Sequence, residues 1–185
     1  MPWERIRRGR ERRLAEDPQI EISVMRYLKQ YHASLTRHGG QISAQQAMID
    51  TNIMMSLDFF YDQTFVYSIM PFCNGGELFG FMEQLDFTEP EARFIIKQIL
   101  DGLEWLQRAG LCHRDMSLEN LMIDNNGNVF IIDMGMSIRI PYEGNNDQLR
   151  LAEDHRTRNR RLISVRGRCG KVRTLLVFIN RQLLW

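Results

Sequence analysis

Two clusters of polar residues lie close together in the middle of the sequence. The first is HRDMSLEN, residues 113–120, and the second is IDMG, in which Asp133 separates an apolar run from Gly135. Carboxylate and amide oxygens grouped in this way could bind a hard cation or a polar substrate. The same residue types also occur in loops for purely structural reasons, because Asp and Asn side chains satisfy neighbouring backbone groups in Asx turns.

Regular elements flank both clusters. Thr88-Glu89-Pro90-Glu91 has the form of a helix capping box, and apolar residues then recur at helical spacing as far as Gly110. After the first cluster, NLMI and VFII flank the polar run Asp124 to Asn128, and the Asn-Gly pair within it predicts a hairpin turn. One cluster thus follows a helix and precedes a strand, and the other ends a strand. Loops anchored by rigid elements commonly carry function.

The segments upstream predict a helix, a loop and a second hairpin. Residues 17–32 begin with Asp17 as the N-cap and Pro18 at the first helical position, and an apolar stripe follows at helical spacing. Residues 33–51 are polar and contain a Gly-Gly pair, which predicts a loop. Apolar runs from Ile53 and from Phe65 then predict two antiparallel strands, and the segment ELFGFMEQL predicts a short helix. Helices and antiparallel hairpins together indicate an α+β fold.

Composition and charge limit the possible partners. The chain of 185 residues is 44% hydrophobic and 25% charged with a net charge of +1, which is typical of a globular domain. Both ends are rich in Arg but lack the interleaved aromatic residues of single-strand binders, so we predict no nucleic-acid partner. No apolar run reaches bilayer length, so we predict no membrane partner. The three Cys residues form no CxxC pair, and we expect a cytoplasmic or nuclear, soluble protein.

The paired motifs resemble those of the eukaryotic protein kinases. His113-Arg114-Asp115, followed after four residues by Asn120, resembles the kinase catalytic loop, and Asp133-Met134-Gly135 resembles the metal-binding DFG motif with Met in place of Phe. The order of helix, HRD loop, hairpin and DxG is also that of the family. The resemblance runs from about residue 14 to residue 136. It implies an incomplete, bilobal protein-kinase-like fold.

The resemblance implies specific roles within these motifs. Asp115 would accept the proton of a substrate hydroxyl, while Asn120 and Asp133 would hold Mg²⁺ on the phosphates of ATP. Arg114 would pair with a phosphate on the activation segment, and His113 would pack structurally. Gly135 completes the DxG motif. The implied cofactors are ATP and Mg²⁺, and the implied partner is a protein substrate.

Further resemblances lie upstream. Met70-Pro71-Phe72-Cys73 resembles the hinge that holds adenine, with Met70 as gatekeeper, the Pro71 carbonyl facing the adenine amino group and the backbone of Cys73 facing the ring. Glu77 would reach the ribose hydroxyls. Glu21 stands where the kinase αC glutamate would be, and its usual partner is a Lys on strand β3. A Glu on a helix is more often simply solvated.

The sequence also departs from the family pattern. It contains no GxGxxG, no VAIK-like Lys before the first helix and no APE after the DxG motif, and Ser117 stands where Ser/Thr kinases usually have Lys. We therefore expect a kinase chain that is truncated at both ends. The expected division is a basic segment (1–13), a partial N-lobe (14–72), the hinge and start of the C-lobe (73–140), and an activation-segment-like, basic tail (141–185).

Two functions remain open from the sequence. The first is transfer of the ATP γ-phosphate to a protein Ser or Thr hydroxyl, although this chain alone would be inactive or severely impaired. The second is a catalytically incompetent kinase-like fragment, or pseudokinase, that acts as a protein-binding module. Thr157 and Ser164 are candidate phosphorylation sites that could pair with Arg114. Apolar surface left exposed where missing lobes should pack would allow association with other molecules.

Overall fold

The computed structural model of the chain describes residues 2–4, 18–36, 43–84, 87–139, 142–143 and 150–151. Its helices with defined bounds are α1 (Pro18–Leu35), α2 (Ala44–Thr51), α3 (Leu78–Gln84) and α4 (Glu89–Arg108). Its strands are β1 (Asp58–Tyr61), β2 (Val66–Ile69), β3 (Leu111–Cys112), β4 (Leu121–Ile123), β5 (Val129–Ile131), β6 (Ile138–Arg139), β7 (Tyr142–Glu143) and β8 (Arg150–Leu151). The predicted α+β fold class is confirmed. The division of the chain into domains stays a prediction, and most of its first and last segments lies outside the described residues.

Helix α4 forms where its capping box predicts. The backbone N–H of Thr88 donates to the Glu91 carboxylate over 2.8 Å, which satisfies one of the free donors at the helix start. The apolar face of α4, including the buried Ile95 and Ile99, packs against β5. Because β5 leads directly to Asp133, this contact fixes the strand that precedes the second polar cluster.

The prediction of a loop over residues 33–51 is wrong in two places. Helix α1 continues to Leu35, and a separate helix, α2, begins after Ser43. The Ser43 hydroxyl accepts a hydrogen bond from the Gln46 N–H at 3.1 Å, so Ser43 caps the helix. The pattern Ser-x-x-Gln is a capping-box signal that the sequence contained. Only residues 37–42 of the predicted loop lie outside the described part.

Two hairpins are formed as the sequence predicts. Strands β1 and β2 pair antiparallel, and so do β4 and β5 on either side of the Asn-Gly turn. The run from Ile53, however, is not strand throughout: Ile53 bridges to Ile131 instead, and the N–H of Met54 donates to the Ile131 carbonyl at 3.0 Å. The first half of that run therefore lies buried against β5, and β1 begins only at Asp58.

The hydrophobic core surrounds the second hairpin. Leu121 and Ile131 are fully buried, and they share one core with Leu28 of α1 and Leu106 of α4. Helix α1 also packs against the 3-10 turn Met134–Met136 that follows Asp133. The core thus holds both polar clusters between α1, α4 and the hairpin. Within the described residues, no helix is long and apolar enough to span a bilayer.

Candidate functional site

The loop of the first cluster is held by hydrogen bonds between its own polar residues. The Asn120 Nδ2 donates to the Asp115 carbonyl oxygen over 2.7 Å and to the Asp115 Oδ2 over 3.2 Å. Both residues are buried, with Asp115 only 4% exposed. Because the amide nitrogen of Asn120 is committed to Asp115, its amide oxygen is the atom left for a ligand.

His113 joins the two clusters. The Asp115 N–H donates to its Nδ1 at 3.2 Å, so Nε2 carries the ring proton and donates to the Ile132 carbonyl at 2.8 Å. Burial is the main cause that lowers the pKa of His113, and it outweighs the opposing effects of the Ile132 carbonyl and of the carboxylates of Asp133 and Asp115. The imidazole is therefore a neutral bridge between the loop and the end of β5.

Asp133 lies directly beyond this bridge. The Ile132 N–H donates to the Asn120 carbonyl over 3.0 Å, which places the second cluster next to the first. Asp133 itself has the left-handed backbone angles φ 60° and ψ 77°, and its Oδ1 accepts from the Gly135 N–H at 3.1 Å. Arg114 has a positive φ of 70° as well. Such angles are uncommon outside Gly, and strained backbone of this kind is frequent at functional sites.

Three buried polar atoms of the loop HRDMSLEN have no hydrogen-bond partner in the described part of the structure. They are Arg114 Nε, Asp115 Oδ1 and Ser117 Oγ. Most buried polar atoms in folded proteins are paired, so each orphaned atom calls for a ligand, a water or a further segment of chain. All three lie within the four consecutive residues Arg114 to Ser117.

Glu21 faces this site from helix α1. It lies in the first turn of α1, and α1 packs against the turn Met134–Met136. Burial raises the pKa of Glu21, and the negative charge of Asp133 raises it further. No basic side chain of the described residues forms an ion pair with Glu21. The role of Glu21 as the αC glutamate stays a prediction.

The residues that resemble a kinase hinge differ in their contacts. Cys73 and Glu77 form one group, and Met70 and Pro71 form the other. Cys73 is buried, and the Ile123 N–H donates to the Gly76 carbonyl at 3.0 Å, which ties this segment to β4. Glu77 forms a bridge to Met122 of the same strand. Burial and, secondarily, Asp124 raise the pKa of the Cys73 thiol, so it stays protonated near neutrality.

Met70 and Pro71 belong to the second group. Met70 is 45% exposed at the end of β2, and Pro71 is half-buried. Neither takes part in the described hydrogen bonds that join the two polar clusters. Their roles as gatekeeper and adenine contact stay predictions.

The donor set suits a magnesium ion. Asp133 retains Oδ2 and Asn120 retains its amide oxygen, and both are hard oxygen donors. No group of three His, Cys, Asp or Glu side chains within the described ranges is arranged to hold a metal. Mg²⁺ does not need one, because it keeps several of its waters and binds through one or two carboxylates. The unpartnered Asp115 Oδ1 lies in the same loop, where it could accept a proton or a bound water.

Hydrogen bonds join Asp115 to Asn120 and to His113, and the backbone of Ile132 links this loop to the segment of Asp133 and Gly135. The roles of these residues stay predictions. What the sequence did not reveal is the part played by main-chain atoms. The carbonyls of Ile132 and Asn120 connect the two clusters, and no side-chain pattern signals a main-chain acceptor. The one related signal in the sequence is the predicted strand that leads into Asp133.

Comparisons with known proteins agree with this geometry. A family model described as "Protein kinase domain" matches residues 15–157. The chain is 40% identical over 102 residues to the hormonally up-regulated neu tumor-associated kinase homolog of Xenopus tropicalis, and 39% identical over 102 residues to the human protein of that name. It is 36% identical over 98 residues to the serine/threonine protein kinase OSK3 of Oryza sativa.

These relatives are much longer than the matched region. The match covers 55% of this chain but 14% of the Xenopus and human proteins, and it covers 52% of this chain and 19% of the rice protein. The similarity thus concerns one region of each relative.

Proposed function

The chain belongs to the protein kinase family, and from that premise we propose that Asp115, Asn120 and Asp133 form the phosphoryl-transfer centre of a protein Ser/Thr kinase. The proposed reaction is transfer of the ATP γ-phosphate to a Ser or Thr hydroxyl of a protein. The observation that carries the proposal is the buried Asp115 carboxylate, whose Oδ2 accepts from Asn120 while Oδ1 has no hydrogen-bond partner among the described residues.

Each residue has a proposed role that its contacts support. Asp115 Oδ1 accepts a hydrogen bond from the substrate hydroxyl and takes its proton as the phosphate is transferred. The Asn120 hydrogen bond to Oδ2 orients the carboxylate for this purpose. His113 is a positioning residue, because its neutral ring links the Asp115 backbone to the Ile132 carbonyl beside Asp133.

ATP and Mg²⁺ are the proposed cofactors. Asp133 Oδ2 and the Asn120 amide oxygen would hold the metal ion, which would neutralise phosphate charge. Glu77 bridges to Met122 of β4, whose first residue follows Asn120 directly, and the Cys73 carbonyl accepts from the Gly76 N–H in the same segment. These contacts support the proposed placement of both residues on the nucleotide side of the site. Arg114, whose buried Nε has no hydrogen-bond partner among the described residues, is the proposed anchor for a phosphate on the activation segment.

A binding module without phosphate transfer is the second candidate. Large apolar side chains around β1, β2 and the following segment are exposed in the described part, among them Phe72 at 88% and Tyr61 at 75%. Exposed apolar patches commonly mark interaction surfaces. A module of this kind would bind its partner through that surface and would not need the Asp133 carboxylate.

Calorimetric titration of the purified chain with Mg²⁺-ATP tests the first proposal. We expect binding by the wild type and by Asp115→Asn, because the proton acceptor does not hold the metal, but not by Asp133→Asn. The matched control is Asp101→Asn, since Asp101 lies on α4 and pairs with Lys97 at the surface. Circular dichroism verifies that each variant is folded.

The same titration separates the two candidates. A folded wild-type chain that does not bind Mg²⁺-ATP would favour the binding module. Equal binding by wild type and Asp133→Asn would refute the metal role of Asp133. Where the wild type transfers phosphate to a Ser-containing peptide, Asp115→Asn should abolish turnover while leaving nucleotide affinity unchanged.

A further inference from the structure

The β1–β2 hairpin presents an aromatic face to solvent. The Phe60 and Tyr67 rings stack with their centroids 4.7 Å apart, and the Phe65 ring centroid lies 6.1 Å from that of Tyr67. Ile69 pairs with Asp58 in the strand register, and it shares the face of Tyr67 because side chains alternate in direction along a strand. Phe60 is 48% exposed and Ile69 is 40% exposed. The side chains of Phe60, Phe65, Tyr67 and Ile69 form the outer face of the hairpin.

The inner face of the same hairpin packs against the rest of the chain. Phe59 is half-buried against the core, and the Arg26 guanidinium of α1 lies 5.6 Å from its ring centroid. Tyr61, two positions further along β1, points to the same side and meets Trp3 edge-on. These packing contacts are therefore on the side opposite to the outer face.

Two carboxylates border the outer face at its ends. Asp58 stands opposite Ile69 at one end, and at the other end the Tyr67 hydroxyl donates to the Asp62 Oδ2 over 2.8 Å. Within the described ranges, no Lys or Arg side chain forms an ion pair with either carboxylate. Four positions along a strand span about 13 Å, which sets the spacing of the two acidic residues. The outer face thus combines stacked rings with two negative charges at a defined separation.

Arginine side chains complement a surface of this kind. A guanidinium can lie over an aromatic ring and also pair with a carboxylate. An extended peptide that lies along the hairpin directs its first, third and fifth side chains to the same side, so arginines at the first and fifth positions match the spacing of Asp58 and Asp62. The third side chain would meet the stacked Phe60 and Tyr67 rings, where an apolar group removes the most apolar surface from water.

We propose that the outer face binds an extended peptide segment of a partner protein, with two arginines four positions apart and an apolar residue midway between them. This inference rests on the second candidate function, the binding module, and gives that module a partner of defined chemistry. Neither the metal ion nor the nucleotide takes part in the contact. A nucleic acid is a poor alternative, because Asp58 and Asp62 would repel its phosphates.

The test is a fluorescence anisotropy titration of the purified full chain with a labelled peptide that contains Arg-Thr-Leu-Thr-Arg. We expect saturable binding that weakens as salt is added, because exposed charge pairs are screened. A peptide with Glu in place of both arginines should not bind. A peptide whose second Arg is moved by one position directs that side chain away from the hairpin, and its binding should be roughly fivefold weaker, the scale of one exposed ion pair.

Variants of the protein are compared in matched pairs. Asp58→Asn should weaken peptide binding roughly threefold to fivefold, whereas Asp101→Asn, which removes the partner of Lys97 on α4, should leave it unchanged. Phe60→Ala should weaken binding roughly tenfold, because it removes one ring of the stack. Phe94→Ala removes an exposed ring from α4 and should have no effect on peptide binding. Circular dichroism verifies that each variant is folded.

Three results would overturn the proposal. They are a folded wild-type chain that does not bind the peptide, equal peptide affinities for Asp58→Asn and Asp101→Asn, and a dimer of the chain alone in sedimentation velocity that Phe60→Ala dissociates. The last result would show that a second copy of the chain occupies the outer face.

The peptide titration and the Mg²⁺-ATP titration fail independently. Nucleotide binding that Asp133→Asn abolishes, together with no peptide binding, would leave the phosphoryl-transfer proposal standing and remove this one. Peptide binding that depends on Asp58 and Phe60 would support this inference whether or not the chain binds the nucleotide.

Discussion

Two hairpins of the molecule, β1–β2 and β4–β5, have similar turns, but the first is exposed and the second is buried. In the first hairpin, β1 and β2, Asp62 accepts hydrogen bonds from the Thr64 and Phe65 N–H groups. In the second, β4 and β5, Asp124 accepts from the Asn126 and Asn128 N–H groups. Both are Asx-type turns that local sequence predicts.

The difference between the hairpins lies in burial. Every residue of β5 is buried, whereas every residue of β1 and β2 is exposed or half-buried. Isolated two-stranded hairpins are marginally stable, so packing rather than turn chemistry decides how firmly each is held. The buried hairpin is also the one whose open end, where Leu121 pairs with Ile131, carries Asn120 before β4 and Asp133 after β5. We infer that the candidate site is rigid because its hairpin lies inside the core.

The largest expected difference in the free energy of unfolding is between a substitution in the buried hairpin and one in the exposed hairpin. Leu121→Ala in β4 removes a fully buried side chain and should lower the free energy of unfolding by about 2–5 kcal/mol. Ile69→Ala in β2, where Ile69 is 40% exposed, should cost no more than about 1 kcal/mol. Urea denaturation of both variants measures the two costs. Equal costs would contradict the contrast between the hairpins.

A substitution at Gly75 tests how tightly the segment around Gly75 packs against Ile123 of β4. A Cβ at Gly75 would lie 2.6 Å from the Ile123 carbonyl oxygen, so Gly75→Ala forces a backbone shift and should cost roughly 1–3 kcal/mol. Gly80→Ala is the matched control, because a Cβ there meets nothing within 4 Å, and in a helix it should stabilise by up to about 1 kcal/mol. Thermal unfolding compares them. A neutral Gly75→Ala would show that β4 can move.

Substitutions of the two turn aspartates, Asp124 and Asp62, should differ less in their cost to stability than the substitutions of Leu121 and Ile69. Asp124→Ala removes acceptors for two backbone N–H groups and for the Asn128 amide, and we expect a loss of about 1–2 kcal/mol. Asp62→Ala removes comparable bonds at a solvent-exposed turn, where water replaces them, so its effect should be smaller. Chemical denaturation measures both. A larger loss for Asp62→Ala would contradict the role of burial.

Acidification should have the smallest effect on stability, and the effect should be confined to the turn at Asp62. Hydrogen bonds from the Phe65 N–H, then the Thr64 N–H and the Tyr67 hydroxyl, lower the pKa of Asp62 below its ordinary value of 3.8. A lowered pKa in the folded state means that the turn's stabilisation is complete above the unfolded value and is lost as the pH falls through the folded value. The amide shift of Phe65, followed by NMR, should titrate below 3.8.

A variant provides the control for that titration. Asp62→Asn should abolish the pH dependence of the Phe65 amide shift, because the carboxylate is gone. A wild-type midpoint at or above the ordinary Asp value would contradict the hydrogen-bond pattern of this turn.

Where local patterns were strong, the sequence predicted the elements correctly. Helix α4 was found from its capping box, the hairpin of β4 and β5 from its Asn-Gly turn, and α1 from its apolar stripe. The polar composition and the Gly-Gly pair of residues 33–51 predicted a loop, whereas residues 44–51 form α2 with Ser43 as its cap. A short helix with few apolar residues is fixed mainly by what it packs against.

By itself, the sequence determined the identity and spacing of the site residues, because motif order and turn chemistry are local properties of the chain. Only the tertiary structure decided which charges meet. Glu21 is more than ninety positions from Asp115, and its approach to Asp133 depends on how α1 packs against the Met134–Met136 turn. The neutral state of His113 and the orphaned Asp115 Oδ1 likewise arise from burial. Burial and long-range contact are properties of the folded core, which no local pattern contains.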